Sequence, residues 1–196
     1  MSRPPSSPRR RQMLLGLAAT PLALIAPRAD AMNATVTSLP PAPSEVTTGL
    51  IQAQLLGRAN LRFFGLLVYE ARLWTAPAFD PLRYDSQAFA LELEYARKLN
   101  GPDIAERSIA EMRRVGDFSE AQSKAWLAFM MQAFPNVGAQ DRLTGLHDGR
   151  GGVRFFFNGK QTAATQDKDY ARLFFGIWLS PKTSAPALRA SLIGQA

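Results

Sequence analysis

Hydrophobic residues recur with the two-residue period of β-strands in the first half of the chain. Residues 55–74 are strand-like throughout, with Gly57 and Gly65 as the expected positions of a bend or bulge. One side of this segment carries residues that we expect in the core: Leu61, Phe63, Leu67, Tyr69, Ala71 and Leu73. The sequence FALELEYA, residues 89–96, alternates apolar and acidic positions, which predicts a second strand with one buried face.

Helical periodicity follows these strands. Residues 101–116 begin with Pro102 in the first turn, carry a stripe of Ala105, Ile109 and Met112, and end at Gly116. Ser119 and Gln122 have the spacing of a capping box, which predicts that a second helix starts there and ends before Pro135.

Strands return at residues 141–147 and 153–160, where Asn158-Gly159 predicts a tight hairpin. Two helices close the chain. The first has apolar residues at helical spacing: Tyr170, Leu173, Phe174, Ile177 and Trp178. Strands, helices, strands and helices in this order predict an α+β domain, with an antiparallel sheet and helices gathered on one face.

Composition excludes most familiar catalytic sites. The 196 residues fit one domain, contain no cysteine, and include one histidine, His147. Thiolate nucleophiles, cysteine-based metal centres and multi-histidine sites are therefore excluded, and we expect neither a metal nor a cofactor. The glycine-rich HDGRGG, residues 147–152, lacks the pattern of a phosphate loop and predicts a hairpin turn.

The first 31 residues have the three parts of an export signal. Arginines 9–11 precede an apolar stretch, residues 13–26, and Ala29 and Ala31 have the spacing of a cleavage site after residue 31. The paired arginines favour the twin-arginine route, so the predicted partner of residues 1–31 is the export machinery and the predicted location is the periplasm. The apolar stretch is shorter than the roughly 20 residues that span a bilayer, so we expect no membrane anchor after cleavage.

The charge of the chain is concentrated in this leader. Residues 1–31 hold five of the 23 basic residues but one of the 16 acidic residues, so the remainder is close to neutral and predicts no nucleic-acid partner. The proline-rich residues 32–46 read as a flexible lead-in, and residues 47–196 as the folded domain.

Arg62 stands out because it sits among aromatic and branched residues in NLRFFGLLVYEARLW, residues 60–74. Burying an unpaired guanidinium is costly, so Arg62 must reach water, a carboxylate of the protein or an anionic group of a ligand. The structural alternatives to a binding role are an exposed strand arginine at a sheet edge and an ion pair with Glu70 or Glu92.

The sequence resembles the chalcone isomerase-like family, in its bacterial exported branch, over roughly residues 50–194. The segments that carry the resemblance are GRANLRFFGLLVYEARLW, LELEYARKLNGPDIAERSIAEMRR, DRLTGL, VRFFFNG and FFGIWLSPKTSAPALR. The resemblance implies an open-faced β-sandwich, in which a large antiparallel sheet lies under a layer of helices with a ligand cleft between them.

The resemblance also implies alternative functions. Non-catalytic members hold the carboxylate of a fatty acid with an arginine and a tyrosine, and Arg62 and Tyr69 match these residue types. The leading hypothesis is an exported, non-catalytic binding protein for an amphipathic acid such as a fatty acid. Arg62 and Tyr69 would contact its anionic end, and Tyr95, Asn100 and Thr183 would line the cleft.

Two alternatives remain open at this point. The first is an isomerase that closes an enone substrate by intramolecular attack, for which the resemblance supplies Arg62 and Thr183 as catalytic candidates. The second is a cell-envelope interaction protein whose cleft is filled with side chains.

Overall fold

The computed structural model describes residues 40–195. Its centre is a six-stranded antiparallel sheet in which each strand pairs with its neighbour in the sequence. The strands are β1 Gln54–Phe63, β2 Leu66–Thr75, β3 Ala88–Tyr95, β4 Arg142–Asp148, β5 Val153–Phe157 and β6 Lys160–Thr165. The helices are α1 Ser44–Gly49, α2 Gly101–Val115, α3 Glu120–Ala133, α4 Lys168–Leu179 and α5 Pro186–Leu192. The predicted α+β class with an open antiparallel sheet is confirmed.

The helix starts follow local signals in the sequence. Ser119 accepts a hydrogen bond from the backbone N–H of Gln122, whose side chain accepts from the Ser119 N–H, which completes the predicted capping box. Asp167 caps α4 by accepting from the backbone N–H groups of Asp169 and Tyr170. These caps fix where α3 and α4 begin.

The predicted strand at residues 55–74 is two strands joined by a two-residue turn. Phe64 and Gly65 form this turn with φ of +48° and +78°, so Gly65 marks a hairpin rather than a bend within one strand. The bulges of this hairpin lie between Leu55 and Gly57 and between Leu61 and Arg62. A side chain in the left-handed region costs about 1 kcal/mol, which makes phenylalanine an unusual residue at this position.

The main hydrophobic core lies between the sheet and helices α2 to α5. Its largest fully buried side chains are aromatic: Phe89, Phe155, Tyr170 and Phe175. Phe174 contacts five aromatic neighbours, and the Tyr170 ring is stacked on it at a centroid distance of 5.4 Å. The predicted apolar stripe of α4 therefore packs on the sheet, since four of its five residues are buried and Ile177 is half-buried.

A smaller core covers the opposite face of the sheet. Val46 and Leu50 pack there against Trp74, Leu146 and Phe156. Val46 belongs to α1, so ordered structure begins inside residues 32–46, which the sequence predicted to be a flexible lead-in. The predicted leader, residues 1–31, and the first part of the lead-in lie outside the described residues.

An ion-pair network joins this outer face together. Arg72 contacts Glu70 at 2.7 Å and both Glu92 and Glu94 at 2.9 Å, and the Glu92 side chain is 2% exposed. Trp74 Nε1 donates to Glu92 Oε2 at 2.8 Å. The carboxylates considered as partners of Arg62 therefore pair with Arg72 instead.

Among residues 40–195, no helix combines the length and the apolar character needed to cross a membrane.

Candidate functional site

A cavity of about 420 Å³ lies between the sheet and helices α2, α4 and α5. Most of its lining is apolar and comes from both layers. The sheet supplies Leu91, Leu93, Leu143 and Phe155, and the helical layer supplies Ile104, Phe174, Ile177 and Leu188. The space between the two layers is therefore hollow, and its walls suit an apolar ligand.

Arg62 lies at the mouth of this cavity. Its side chain is exposed and is among the lining residues, and its Nη1 donates to the backbone oxygen of Gly65 at 3.1 Å. None of the ion pairs found among residues 40–195 includes Arg62. The guanidinium group of Arg62 therefore reaches solvent and is not buried. It remains available to bind an anion beside the apolar cavity.

Tyr69 and Tyr95 bring hydroxyl groups to the cavity from adjacent strands. They face each other in the β2–β3 register, with ring centroids 5.8 Å apart. The Tyr69 hydroxyl accepts a hydrogen bond from Trp178 Nε1 at 3.0 Å. Burial raises the pKa of Tyr69 to about 12 and shifts the pKa of Tyr95 in the same direction. Both phenols therefore stay neutral at ordinary pH and can contact a ligand as hydrogen-bonding groups.

The hairpin also explains how Arg62 and Tyr69 come to line one cavity. On a single continuous strand, residues seven positions apart would point to opposite faces. In the structure they lie on neighbouring antiparallel strands. Tyr69 pairs with Leu61, and the register then shifts at a bulge, so that the next residue, Arg62, pairs with Leu67. The turn and the bulge together replace the single bulge that the sequence suggested.

Two other predicted residues lie away from the lining. Asn100 is exposed and donates from its side chain to Asp103 Oδ2 at 3.0 Å. Thr183 is buried, and its hydroxyl donates to the backbone oxygen of Ile177 at 2.6 Å and accepts from the Ala185 N–H. Neither side chain is among the lining residues, so both have structural contacts instead.

One face of α2 lines the cavity without having been singled out from the sequence. Arg107 and Glu111 form an ion pair of 2.6 Å, and Arg114 lies 3.5 Å from the other Glu111 oxygen. Arg107 and Glu111, together with Ile104 and Ser108, line the cavity from consecutive turns of one helix face. This i, i+4 spacing is visible in the sequence. It is equally typical of ion pairs on solvent-exposed helix faces, so it does not by itself indicate a cavity.

The remaining charged lining residues are Arg97 and Asp103, both exposed. Within residues 40–195, no group of three or more histidine, cysteine, aspartate or glutamate side chains is placed to hold a metal ion. His147 lies in the core, where its Nδ1 is 2.9 Å from the backbone oxygen of Gln87.

Comparison with known proteins identifies the fold. It is chalcone isomerase-like, as the sequence resemblance implied. The structure is similar to the crystal structure of AtFAP1, a fatty-acid binding protein of Arabidopsis thaliana, with a TM-score of 0.57. The match covers 73% of this chain and 87% of that chain at 9% sequence identity, so the similarity concerns the fold. The sequence matches no family model and no curated protein.

Proposed function

We propose that this protein binds an amphipathic acid, such as a fatty acid, with its apolar chain in the cavity and its carboxylate at Arg62. The observation that carries the proposal is the hollow between sheet and helices, which has apolar walls and an uncommitted arginine at its mouth. A volume of about 420 Å³ falls within the range of roughly 300–1,000 Å³ that is usual for small-molecule sites.

The charges of the lining favour an acid over a neutral lipid. Arg107 and Glu111 neutralise each other in an ion pair. The other charged lining residues are the basic Arg62 and Arg97 and the acidic Asp103, so the lining has an excess of positive charge. A carboxylate beside Arg62 gains a charge-assisted hydrogen bond without displacing an ion pair. The fold shared with AtFAP1, whose name states that it binds fatty acids, agrees with a ligand of this class.

The two alternative functions receive less support. The isomerase alternative required the hydroxyl of Thr183 at the substrate, but this hydroxyl is bonded to the Ile177 backbone oxygen outside the lining. The interaction-protein alternative required a cleft filled with side chains, and the cleft is open.

Export to the periplasm is the second part of the proposal. It rests on the arginines at positions 9–11, the apolar residues 13–26 and the cleavage pattern that ends at Ala31. Fractionation of the host followed by N-terminal sequencing tests it. We expect periplasmic protein that begins at Met32, and a cytoplasmic chain that retains Met1 would contradict export.

Mass spectrometry of lipids that stay bound to the protein purified from its own host tests the binding function. We expect an amphipathic acid at up to one molecule per chain, together with uptake of labelled palmitate by the delipidated protein. Protein that is empty as purified and does not take up palmitate would overturn the proposal.

A further inference from the structure

The turn between β1 and β2 presents apolar side chains to solvent at the cavity mouth. Phe63, Phe64 and Leu66 are 63%, 90% and 57% exposed. The two phenylalanine rings pack edge to face, with centroids 4.4 Å apart. Residues 62–66 are called the hairpin tip below. Arg62 and Phe63 of the tip also line the cavity, so the tip is continuous with the entrance.

The conformation of this turn does not explain why a phenylalanine occupies position 64. The β5–β6 hairpin has the same geometry, with φ of +48° at Asn158 and +84° at Gly159, against +48° at Phe64 and +78° at Gly65. Asparagine followed by glycine is the sequence that such turns favour. At the tip the chain therefore places a large aromatic residue, almost fully in solvent, where a small polar residue would fit the backbone better.

Basic residues belong to this tip and to the cavity that it adjoins. Arg62 is part of the tip, Arg97 lines the same cavity, and the exposed Lys98 follows Arg97 in the chain. Asp103 is the exposed acid among the lining residues, and it accepts a hydrogen bond from Asn100. Aromatic side chains flanked by basic residues are suited to the interface of a bilayer that contains anionic lipids.

The exposed area fits a membrane better than a second copy of the chain. The three apolar side chains of the tip expose on the order of 400 Å², about half of the ~800 Å² that each partner buries in a stable protein interface. A bilayer contact does not require an interface of this size, because a single protruding loop can insert into the lipid headgroup layer.

We propose that the hairpin tip docks on anionic lipid bilayers, inserting Phe64 and its neighbours into the headgroup region. Docking would bring the cavity mouth against the membrane surface, where a lipid-like ligand can enter or leave. The proposal concerns the exposed side of the tip, where Phe64 and Leu66 lie outside the cavity lining, and it does not depend on which ligand the cavity takes.

A local fluorescent probe tests insertion. Because the chain has no cysteine, Leu66→Cys can be labelled at one position with the polarity-sensitive fluorophore NBD. Leu82→Cys is the matched control, since Leu82 is 73% exposed in the short 3₁₀ helix Pro81–Ser86, beyond the opposite end of β2. With vesicles of phosphatidylcholine and phosphatidylglycerol, we expect a blue shift and brighter emission at position 66 and no change at position 82.

The response at position 66 is expected to weaken with phosphatidylcholine alone and with added salt, because the basic residues would lose their partners or be screened. No response at position 66, or the same response at both positions, would overturn the proposal. This readout is local, so binding of vesicles through residues 1–31 cannot imitate it.

Phe64→Asn supplies the decisive variant. It gives this turn the residues of the β5–β6 turn, so we expect thermal unfolding at the same or a higher temperature. The vesicle affinity reported by the label at position 66 is expected to fall about tenfold or more, as the loss of one buried phenyl ring implies. Phe64→Gly, which also tolerates this φ, is the second variant if Phe64→Asn folds poorly.

Unchanged vesicle binding by a folded Phe64 variant would overturn the proposal. So would a dimer in sedimentation velocity that Phe64→Asn dissociates, because the tip would then bind a second copy. Palmitate binding without vesicles is expected to be unchanged in Phe64→Asn, since Phe64 is not among the lining residues. Failure of membrane docking and failure of ligand binding are therefore separable.

Discussion

Arg62 combines the two properties that a carboxylate receptor at a cavity mouth requires. Its charge is not paired with any carboxylate among residues 40–195, and its Nη1 hydrogen bond to the Gly65 oxygen holds the side chain near the turn. The position at the mouth also lets the carboxylate of a bound acid stay partly hydrated, so the ligand need not bury its charge.

Arg62→Gln is expected to weaken palmitate binding about five- to tenfold, because a charge-assisted hydrogen bond in a partly exposed site is lost. Binding of hexadecanol, which has no charge, should be unaffected. Displacement of a fluorescent fatty acid measures both affinities. Arg58→Gln is the control, since Arg58 is an exposed arginine of the same strand outside the lining. Equal losses in the two variants, or none, would count against the role of Arg62.

The tyrosines give a pH-dependent prediction. Burial raises the pKa of Tyr69 and of Tyr84 to about 12 and raises the pKa of Tyr95 and Tyr170 as well, and these are the four tyrosines of the chain. Ultraviolet titration of the folded protein should therefore show no phenolate near pH 10, the ordinary tyrosine value. Absorbance should rise only as pH approaches 12 or the protein unfolds.

The same shifts predict how stability changes with pH. In the unfolded chain the tyrosines ionise near pH 10, whereas in the folded protein they hold their protons to higher pH. Their contribution is thus complete below pH 10 and is lost as pH rises from about 10 to 12. Thermal melts across this interval should show a falling midpoint, and a tyrosine titrating near pH 10 in the native state would contradict the burial.

At the residue level, the sequence indicated a site residue where its surroundings in the chain were unusual. It did not indicate one where the residue pattern is also common on protein surfaces. Arg62 was singled out because a cation among aromatic residues needs an explanation, and it lies at the cavity. Arg107 and Glu111 have the spacing of a solvent-exposed ion pair, so only the packed fold shows that they border a cavity. Thr183 matched a family motif, yet its hydroxyl completes a local turn.

At the level of elements, the outer face of the sheet depends on the Arg72 network. Arg72→Ala should lower the free energy of unfolding by about 3 kcal/mol, because the buried Glu92 carboxylate loses its partner at 2.9 Å and keeps only the more distant Arg142, at 3.9 Å. Glu120→Ala removes an exposed pair with Arg113 and should cost at most about 1 kcal/mol. Urea unfolding of the two variants measures the difference, and similar small losses would show that Glu92 is hydrated rather than buried.

Two elements could not be predicted because their local sequence points elsewhere. Phe64 occupies a turn position that favours asparagine or glycine, so residues 55–74 looked like one strand. Helix α1 follows a proline-rich segment and has six residues, and it is fixed by packing of Val46 and Leu50 on the sheet. The Asn158-Gly159 hairpin and the Ser119 capping box carry the expected residues, and they were predicted correctly.

At the scale of the whole molecule, the two-layer architecture creates the cavity. The sheet contributes one wall through strands β1 to β5, and helices α2, α4 and α5 contribute the other. The sequence patterns predicted both layers and their apolar faces, because periodicity reports which side of an element is buried. Periodicity alone could not predict the hollow, since its existence depends on how far apart the layers are held. The cleft was expected from the resemblance to the chalcone isomerase-like family.

Isothermal titration calorimetry of palmitate into the delipidated protein measures whether the cavity holds an acid at Arg62. We expect saturable binding of one molecule per chain, a negative heat-capacity change from burial of the apolar chain, and tighter binding of palmitate than of hexadecanol. Absence of saturable binding, or equal affinity for the acid and the alcohol, would contradict a cavity that holds an acid at Arg62.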